Sequence, residues 1–230
     1  KEYVRILTEA NATQNNRGEN PFALWVSYPD PHEPYEAVRR YADMFPLESV
    51  DLPPSRENEF DDSAPERNSV LHEILGLSDD SEEDIRRAIS VYYAMTRFVD
   101  DGIGRILDTL ERTGLKDNTI IVFTADHGDF MGEHDMIVKG GVFYDCLVRV
   151  PLIVSWPGQV AQGVRDDSMV STIDIVPTLL ELQGIDAPPE IHGESLPTVT
   201  SATPRDAAFS EYGSGGPPFT AADLELMPRP

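Results

Sequence analysis

The sequence is poor in three things, and each shortage removes a class of protein. Cys146 is the only cysteine in 230 residues, so no intrachain disulfide can form and a cysteine-rich zinc site is excluded. Lysine occurs only at Lys1, Lys116 and Lys139; eighteen basic side chains face forty-one acidic ones, for a formal charge of −23. Phosphate backbones and anionic membranes repel such a chain unless a basic patch intervenes, and none is visible, so nucleic acid is not an expected partner. Acid-rich, lysine-poor composition suits a salt-adapted source or a merely acidic protein equally. No run approaches the roughly 18 apolar residues of a membrane helix, and nothing at the start has the pattern of a signal peptide. The compartment stays open. The opening on Lys1 and the helical look of "EYVRILTEA" raise the expectation that the chain begins within a larger protein or after processing.

What is present is an ordinary globular composition, 40% apolar, enough for one sizeable α/β domain or two small ones. After the polar stretch "NATQNNRGEN" comes "PFALWVSY", a run of strand length bounded by Pro21 and by "PDPHEP" that reads as a buried strand. Residues 36–80 are rich in Pro, Ser and acids and read as a long surface excursion. From Ser81 to Gly114, Ile85, Ala88, Ile89, Tyr92, Thr96, Val99, Ile103, Ile106, Leu107 and Leu110 recur at helical spacing. Ser81 with Asp84 predicts the N-terminal cap, Gly114 the stop, and Gly102 and Gly104 a kink or close packing. "TIIVFT" and "VPLIVSW" read as buried strands, "STIDIVPTLLELQG" as a helix ending at Gly184, and "AAFSEY" as a weak strand. Alternating strands and helices predict an α/β domain with a mostly parallel sheet flanked by helices.

The densest chemistry follows "TIIVF": "FTADHGDFMGEHDMIVKGG", Phe123 to Gly141. In open α/β sheets, sites form beyond the carboxyl ends of strands, where Asp126 and His127 fall. A carboxylate oxygen and a neutral imidazole nitrogen suit a divalent cation, Ca2+, Mg2+ or Mn2+. Taken alone, "DHG" is equally a capping aspartate followed by a loop histidine.

The longer spacing carries more. Asp126-His127-Gly128, then Gly132-Glu133-His134, then Lys139 resembles the sulfatase family of the alkaline-phosphatase-like superfamily, as do "PFALWVSYPDPHEPY", "RVPLIVSWPG", "STIDIVPTLLELQGI" and "HGESL" in that order. The resemblance implies that Asp126 and His127 are ligands of a divalent metal, most often calcium, and that Lys139 contacts the non-bridging oxygens of the ester. It implies that His32 serves the leaving-group oxygen as proton donor or hydrogen-bond partner. For His134 and Glu133 three readings stay open: lining the substrate pocket, orienting Lys139, or a plain surface role. Pro31 and Pro34 equally fit a rigid turn with a structural histidine. His72 falls in the acidic excursion, His192 reads as structural and Cys146 as a small core residue.

The family's nucleophile, a formylglycine made from Cys or Ser in a C/S-x-P-x-R motif, has no counterpart in these residues; "LPPSR", Leu52 to Arg56, imitates only its tail. The resemblance therefore implies part of a sulfuric ester hydrolase, a partial domain that needs a formylglycine located outside this chain and acts on small-molecule or saccharide sulfate esters. Two other readings stand beside it: a phosphonate monoester or phosphodiester hydrolase on the same scaffold, and a non-catalytic remnant that binds an anion or a metal.

Overall fold

The structure, a computed structural model, describes residues 21–54, 59–60, 65–77, 80–200 and 202–211. The opening "EYVRILTEA" and the "NATQNNRGEN" linker lie outside these residues. The chain divides into two compact units, one built from residues 21–113 with 126–150 and the other from 114–125 with 151–211.

The first unit is organised on one long helix. Three helices run through it, α1 (Arg39–Ala42), α2 (Glu66–Leu75) and α3 (Glu82–Arg112), and a short α4 (Asp145–Val148) follows later in sequence. Helix α3 starts where its cap predicts: the Ser81 hydroxyl accepts the backbone N–H of Asp84 at 3.2 Å, and Glu82, Glu83 and Asp84 place negative charge at the positive end of the helix dipole. Its fully buried positions are Ile89, Ser90, Ala94, Met95, Gly102, Thr109 and Leu110, whereas Thr96 and Leu107 of the expected stripe face solvent. Close packing explains Gly102, because a Cβ there would meet the Tyr28 hydroxyl at 2.8 Å; around Gly104 there is open space.

Residues 36–80, expected as a surface excursion, bury Tyr41, Val50 and Val70. The Tyr41 ring meets Phe98 edge-on and its hydroxyl donates to Asp101 at 2.9 Å, so α1 lies on α3. "PFALWVSY", expected as a buried strand, alternates in exposure with the period of two of a strand but has no fully buried residue, with Trp25 86% exposed, and it joins no ladder among the described residues. A second core gathers Phe130, Met136, Val142 and Leu147, with Leu71, Leu75, Tyr144 and Cys146 packed around it. Cys146 is the partly buried core residue its apolar neighbours indicate.

The second unit carries β1 (Ile121–Thr124), β2 (Leu152–Ser155) and α5 (Ile175–Leu182). The two strands pair antiparallel, with Phe123 opposite Ile153, so the one ladder among the described residues is not the parallel pairing the sequence suggested. Nor is β1 buried on both faces: Phe123 is 37% and Ile153 57% exposed. Consecutive apolar residues favour a strand but do not fix its direction or what covers it. "AAFSEY" forms no strand in its described part; the chain there makes only an isolated bridge between Met169 and Arg205. Helix α5 ends as expected, with Gly184 at φ 68° and the Ile185 N–H bonded to Leu180 O at 2.9 Å. Asp174, 1% exposed, accepts the N–H groups of Ser171 and Glu194 at 2.7 and 3.0 Å and pairs with Arg205, which ties "HGESL" to the helix start. No helix among the described residues is long and apolar enough to cross a membrane.

Candidate functional site

The block from Asp126 to Lys139 belongs to the first unit, and three local features shape it. No helix follows Asp126, so it does not act as a helix cap; its Oδ1 instead accepts the backbone N–H of His127 at 3.0 Å. Gly128 donates its N–H to Leu147 O at 2.9 Å, and a Cβ at this position would strike the carbonyl of Cys146. Only glycine fits there. The loop beyond is held by backbone bonds from Phe130 to Val138 O (2.8 Å), Gly132 to Met136 O (2.9 Å), Leu77 to Asp135 O (2.9 Å) and Ile137 to Leu75 O (3.1 Å). Within this frame Met131, His134, Asp135 and Val138 all have positive φ. For the β-branched Val138, at φ 65°, that conformation is strained, by about 1–3 kcal/mol, and it immediately precedes Lys139.

His127 turns one ring nitrogen inward to the backbone and leaves the other uncommitted. Its Nδ1 is 2.9 Å from Gly128 O, and because a carbonyl only accepts, the ring proton sits on Nδ1 and the Nε2 lone pair is left available. That Nε2 lies 3.8 Å from Asp126 Oδ2, and both side chains are open to solvent, at 42% and 88% exposure. A hard oxygen and an imidazole nitrogen at this separation fit a single divalent ion. They are two donors only: no group of three or more His, Cys, Asp or Glu arranged for a metal occurs among the described residues.

The other candidates meet on one atom. Lys139 Nζ is 2.8 Å from Glu33 Oε2, and His32 Nδ1 is 3.3 Å from the same oxygen. His32 Nδ1 also lies 2.7 Å from the Glu33 backbone carbonyl, so it carries the ring proton, and Nε2 is the nitrogen that remains for other work. The turn bearing these residues is closed by the His32 N–H to Pro29 O at 3.0 Å and contains cis peptides before Pro31 and Pro34. The Lys139 ammonium holds the Glu33 carboxyl below the usual carboxylate range.

Two residues that sequence reasoning passed over connect this turn to the "DHG" block. Tyr35 donates to Asp129 Oδ2 at 3.5 Å, a long contact, and Tyr35 in turn packs edge-on against Tyr92 of α3, ring centroids 6.1 Å apart. Burial, with the Asp129 charge second, pushes Tyr35 far up and Tyr92 up to about 12, so both phenols stay protonated. Asp129 Oδ1 is buried and has no hydrogen-bond partner among the described residues. Burial raises the Asp129 carboxyl, while Lys139 and His127 act in the opposite sense. The signal for Glu33 was an acid between two prolines beside the candidate histidine; the signal for Asp129 was a second acid three residues after Asp126.

His134 sits elsewhere in the loop. It is 6% exposed, its Nδ1 lies 2.7 Å from Glu59 Oε1, and its ring lies 4.0 Å from that of Tyr144, whose hydroxyl accepts from Asn68 at 3.0 Å. A plain surface role for it is excluded. Its position in the aromatic cluster with Phe130 fits a residue that shapes the backbone leading to Lys139.

The family model described as Sulfatase matches residues 3–185. The chain belongs to the sulfatase family. It is 30% identical to the choline-sulfatase of Rhizobium meliloti over 213 residues, 90% of this chain and 41% of that protein. Among solved structures, the phosphonate monoester hydrolase of Silicibacter pomeroyi superposes with a TM-score of 0.74 at 27% identity, over 90% of this chain and 43% of the other. BT4656, solved with its substrate D-glucosamine-2-N,6-O-disulfate, gives a TM-score of 0.61 at 25% identity, over 92% of this chain and 56% of the other. This sulfatase chain thus spans about half the length of the relatives it matches, and its fold is of the alkaline-phosphatase-like kind.

Proposed function

We propose that this chain is part of a hydrolase of sulfate esters and carries the metal-binding, anion-binding and leaving-group half of its site. The observation that carries the reading is the convergence on Glu33 Oε2 of His32 and Lys139, from segments more than a hundred residues apart, in the unit that also holds Asp126 and His127. Lys139 holds the non-bridging oxygens of the ester, a task suited to a compact ammonium because charge must be held in both ground and transition states. His32 uses Nε2 to pass a proton to the departing alcohol oxygen, with Nδ1 fixed on the Glu33 carbonyl. Asp126 and His127 Nε2 hold a divalent ion, Ca2+ ahead of Mn2+ and Mg2+. Such an ion, when bound, neutralises ester oxygens and favours attack at sulfur. The nucleophile, a formylglycine, lies outside these residues. His134 supports the Lys139 loop through Glu59 and Tyr144.

The substrate class is a small-molecule or saccharide sulfate, in keeping with the named choline-sulfatase and the disulfated glucosamine bound by BT4656. The same likenesses support residues 1–230 as part of a single domain with a larger, mostly parallel sheet. The uncovered Phe123–Ile153 pair is what strands of such a sheet would present to further layers. The phosphonate monoester hydrolase likeness favours a second reading in which the same groups act on a phosphorus ester. Side-by-side turnover of matched aryl sulfate and aryl phosphonate monoesters by the product of the complete gene separates the two. Preferential sulfate release supports the first, preferential phosphonate cleavage the second, and no turnover of either leaves a binding remnant.

A further inference from the structure

The ion pair between Glu33 and Lys139 raises a question that the sulfate-binding role of Lys139 does not answer. A lysine meant to hold an anion is already engaged, at 2.8 Å, by a carboxylate oxygen, and that carboxylate is 39% exposed rather than sequestered. Asp129, partly buried, lies within electrostatic reach of Lys139, His127 and Glu33 and adds a second acid to the same neighbourhood. The carboxylate stays close to where an anion on Lys139 would sit, because its backbone lies in the turn closed by His32 N–H and Pro29 O. It also contacts the His32 ring, so it cannot withdraw without giving up a second partner.

We propose that Glu33 sets the charge selectivity of the anion site, admitting singly charged tetrahedral esters and discriminating against doubly charged ones. An approaching anion meets Lys139 with its charge half cancelled and meets Glu33 as a like charge. A sulfate monoester carries one negative charge; a phosphate monoester carries close to two above its second pKa of about 6. The repulsion from Glu33 therefore acts about twice as strongly on the phosphate monoester, while the attraction from Lys139 is shared with its permanent partner. One unit charge at roughly 6 Å, discounted for a partly exposed pair, corresponds to about a tenfold difference in binding. Phosphonate monoesters and phosphodiesters, which are also singly charged, fall on the admitted side, so Glu33 sorts by charge and not by the central atom.

The inference rests on the reading of Lys139 as the anion-holding group, and its test is chosen to be independent of turnover. Only three lysines occur in the chain, so lysine side-chain NMR gives a resolvable Lys139 signal, with Lys116 of the second unit as an internal reference. Methyl sulfate and methyl phosphate are titrated at pH 8 into the wild type and into Glu33→Gln, Glu33→Ala and Glu33→Asp. The expected result is that the ratio of half-saturating concentrations moves about tenfold toward methyl phosphate in the Gln and Ala variants and stays near the wild-type value in the Asp variant. A ratio unchanged within about twofold in Gln and Ala, or moved equally by Asp, overturns the proposal. If neither anion moves the Lys139 signal, the proposal falls together with the anion-holding role of that lysine. If the signal responds as expected and the complete gene product releases no sulfate from sulfate esters, the hydrolase reading alone fails.

Discussion

Replacing Gly128 by alanine should damage fold and site together. The added Cβ would strike the Cys146 carbonyl oxygen, with the carbonyl carbon 3.1 Å and the Leu147 Cα 3.5 Å away. These are backbone atoms of α4 and cannot swing aside as a side-chain tip can. Either the "DHG" turn or α4 must move, and movement breaks the 2.9 Å bond from Gly128 N–H to Leu147 O. Overpacking of about 1–3 kcal/mol and a lost buried hydrogen bond of about 1 kcal/mol together give about 2–4 kcal/mol. For a chain of this size that lowers the melting temperature by about 5–15 °C. The same displacement separates Asp126 from His127 Nε2, so divalent-ion binding should weaken at least tenfold. Differential scanning calorimetry and Mn2+ titration by electron paramagnetic resonance measure the two effects. Gly104→Ala is the control: its Cβ meets nothing within 4 Å, it lies in the interior of α3, and it should stabilise by up to about 1 kcal/mol. A Gly128→Ala protein with wild-type melting temperature and ion affinity would refute the packing argument.

Gly102→Ala should be mildly destabilising, by about 1 kcal/mol, since its obstacle is the end of the Tyr28 side chain; urea unfolding measures it. Asp174→Ala should cost about 3–5 kcal/mol, because it removes the carboxylate that Arg205 pairs with and leaves the N–H groups of Ser171 and Glu194 unpartnered; thermal unfolding of the second unit reports it. Glu33, whose folded pKa is lowered by Lys139, contributes stability above its unfolded pKa that is lost as pH falls through the folded one. The stability gap between wild type and Glu33→Gln should accordingly be present at about pH 6–7, narrow as pH falls below the ordinary carboxylate range and vanish below the lowered folded pKa, read by unfolding at a series of pH values. Burial, aided by Glu133 and Asp145, pushes the Cys146 thiol up to about 11, so at pH 8 the folded protein should alkylate about a hundredfold more slowly than the unfolded chain.

Much of this was legible in the sequence where local rules act alone. The 3.6-residue stripe and the Ser81 cap located α3 almost to its ends, and Gly184 marked the end of α5. Strand direction was not legible, because four apolar residues in a row favour a strand and report neither its partner nor what covers it, and "TIIVFT" paired antiparallel with "LIVS". Neither was the true buried face of α3: it is set by Tyr41, Phe45 and Tyr28 packing on it, and Ser90 is buried because its hydroxyl bonds to Phe45 O at 2.6 Å. At the site, the resemblance to the sulfatase family singled out His32, Asp126, His127 and Lys139, and the structure joins His32 to Lys139 through Glu33, which no spacing rule selects. The partners of His134 were invisible for the same reason, since Glu59 lies 75 positions away.

The central claim is that Lys139 and His32 serve the cleavage of a sulfate ester. Its most direct test is sulfate release from 4-nitrophenyl sulfate by the product of the complete gene, expressed with its maturation machinery, as wild type and as Lys139→Ala. The account predicts measurable release by the wild type and at least a hundredfold loss of kcat/KM on removing the ammonium. No release by the wild type, or release undiminished in Lys139→Ala, would contradict it.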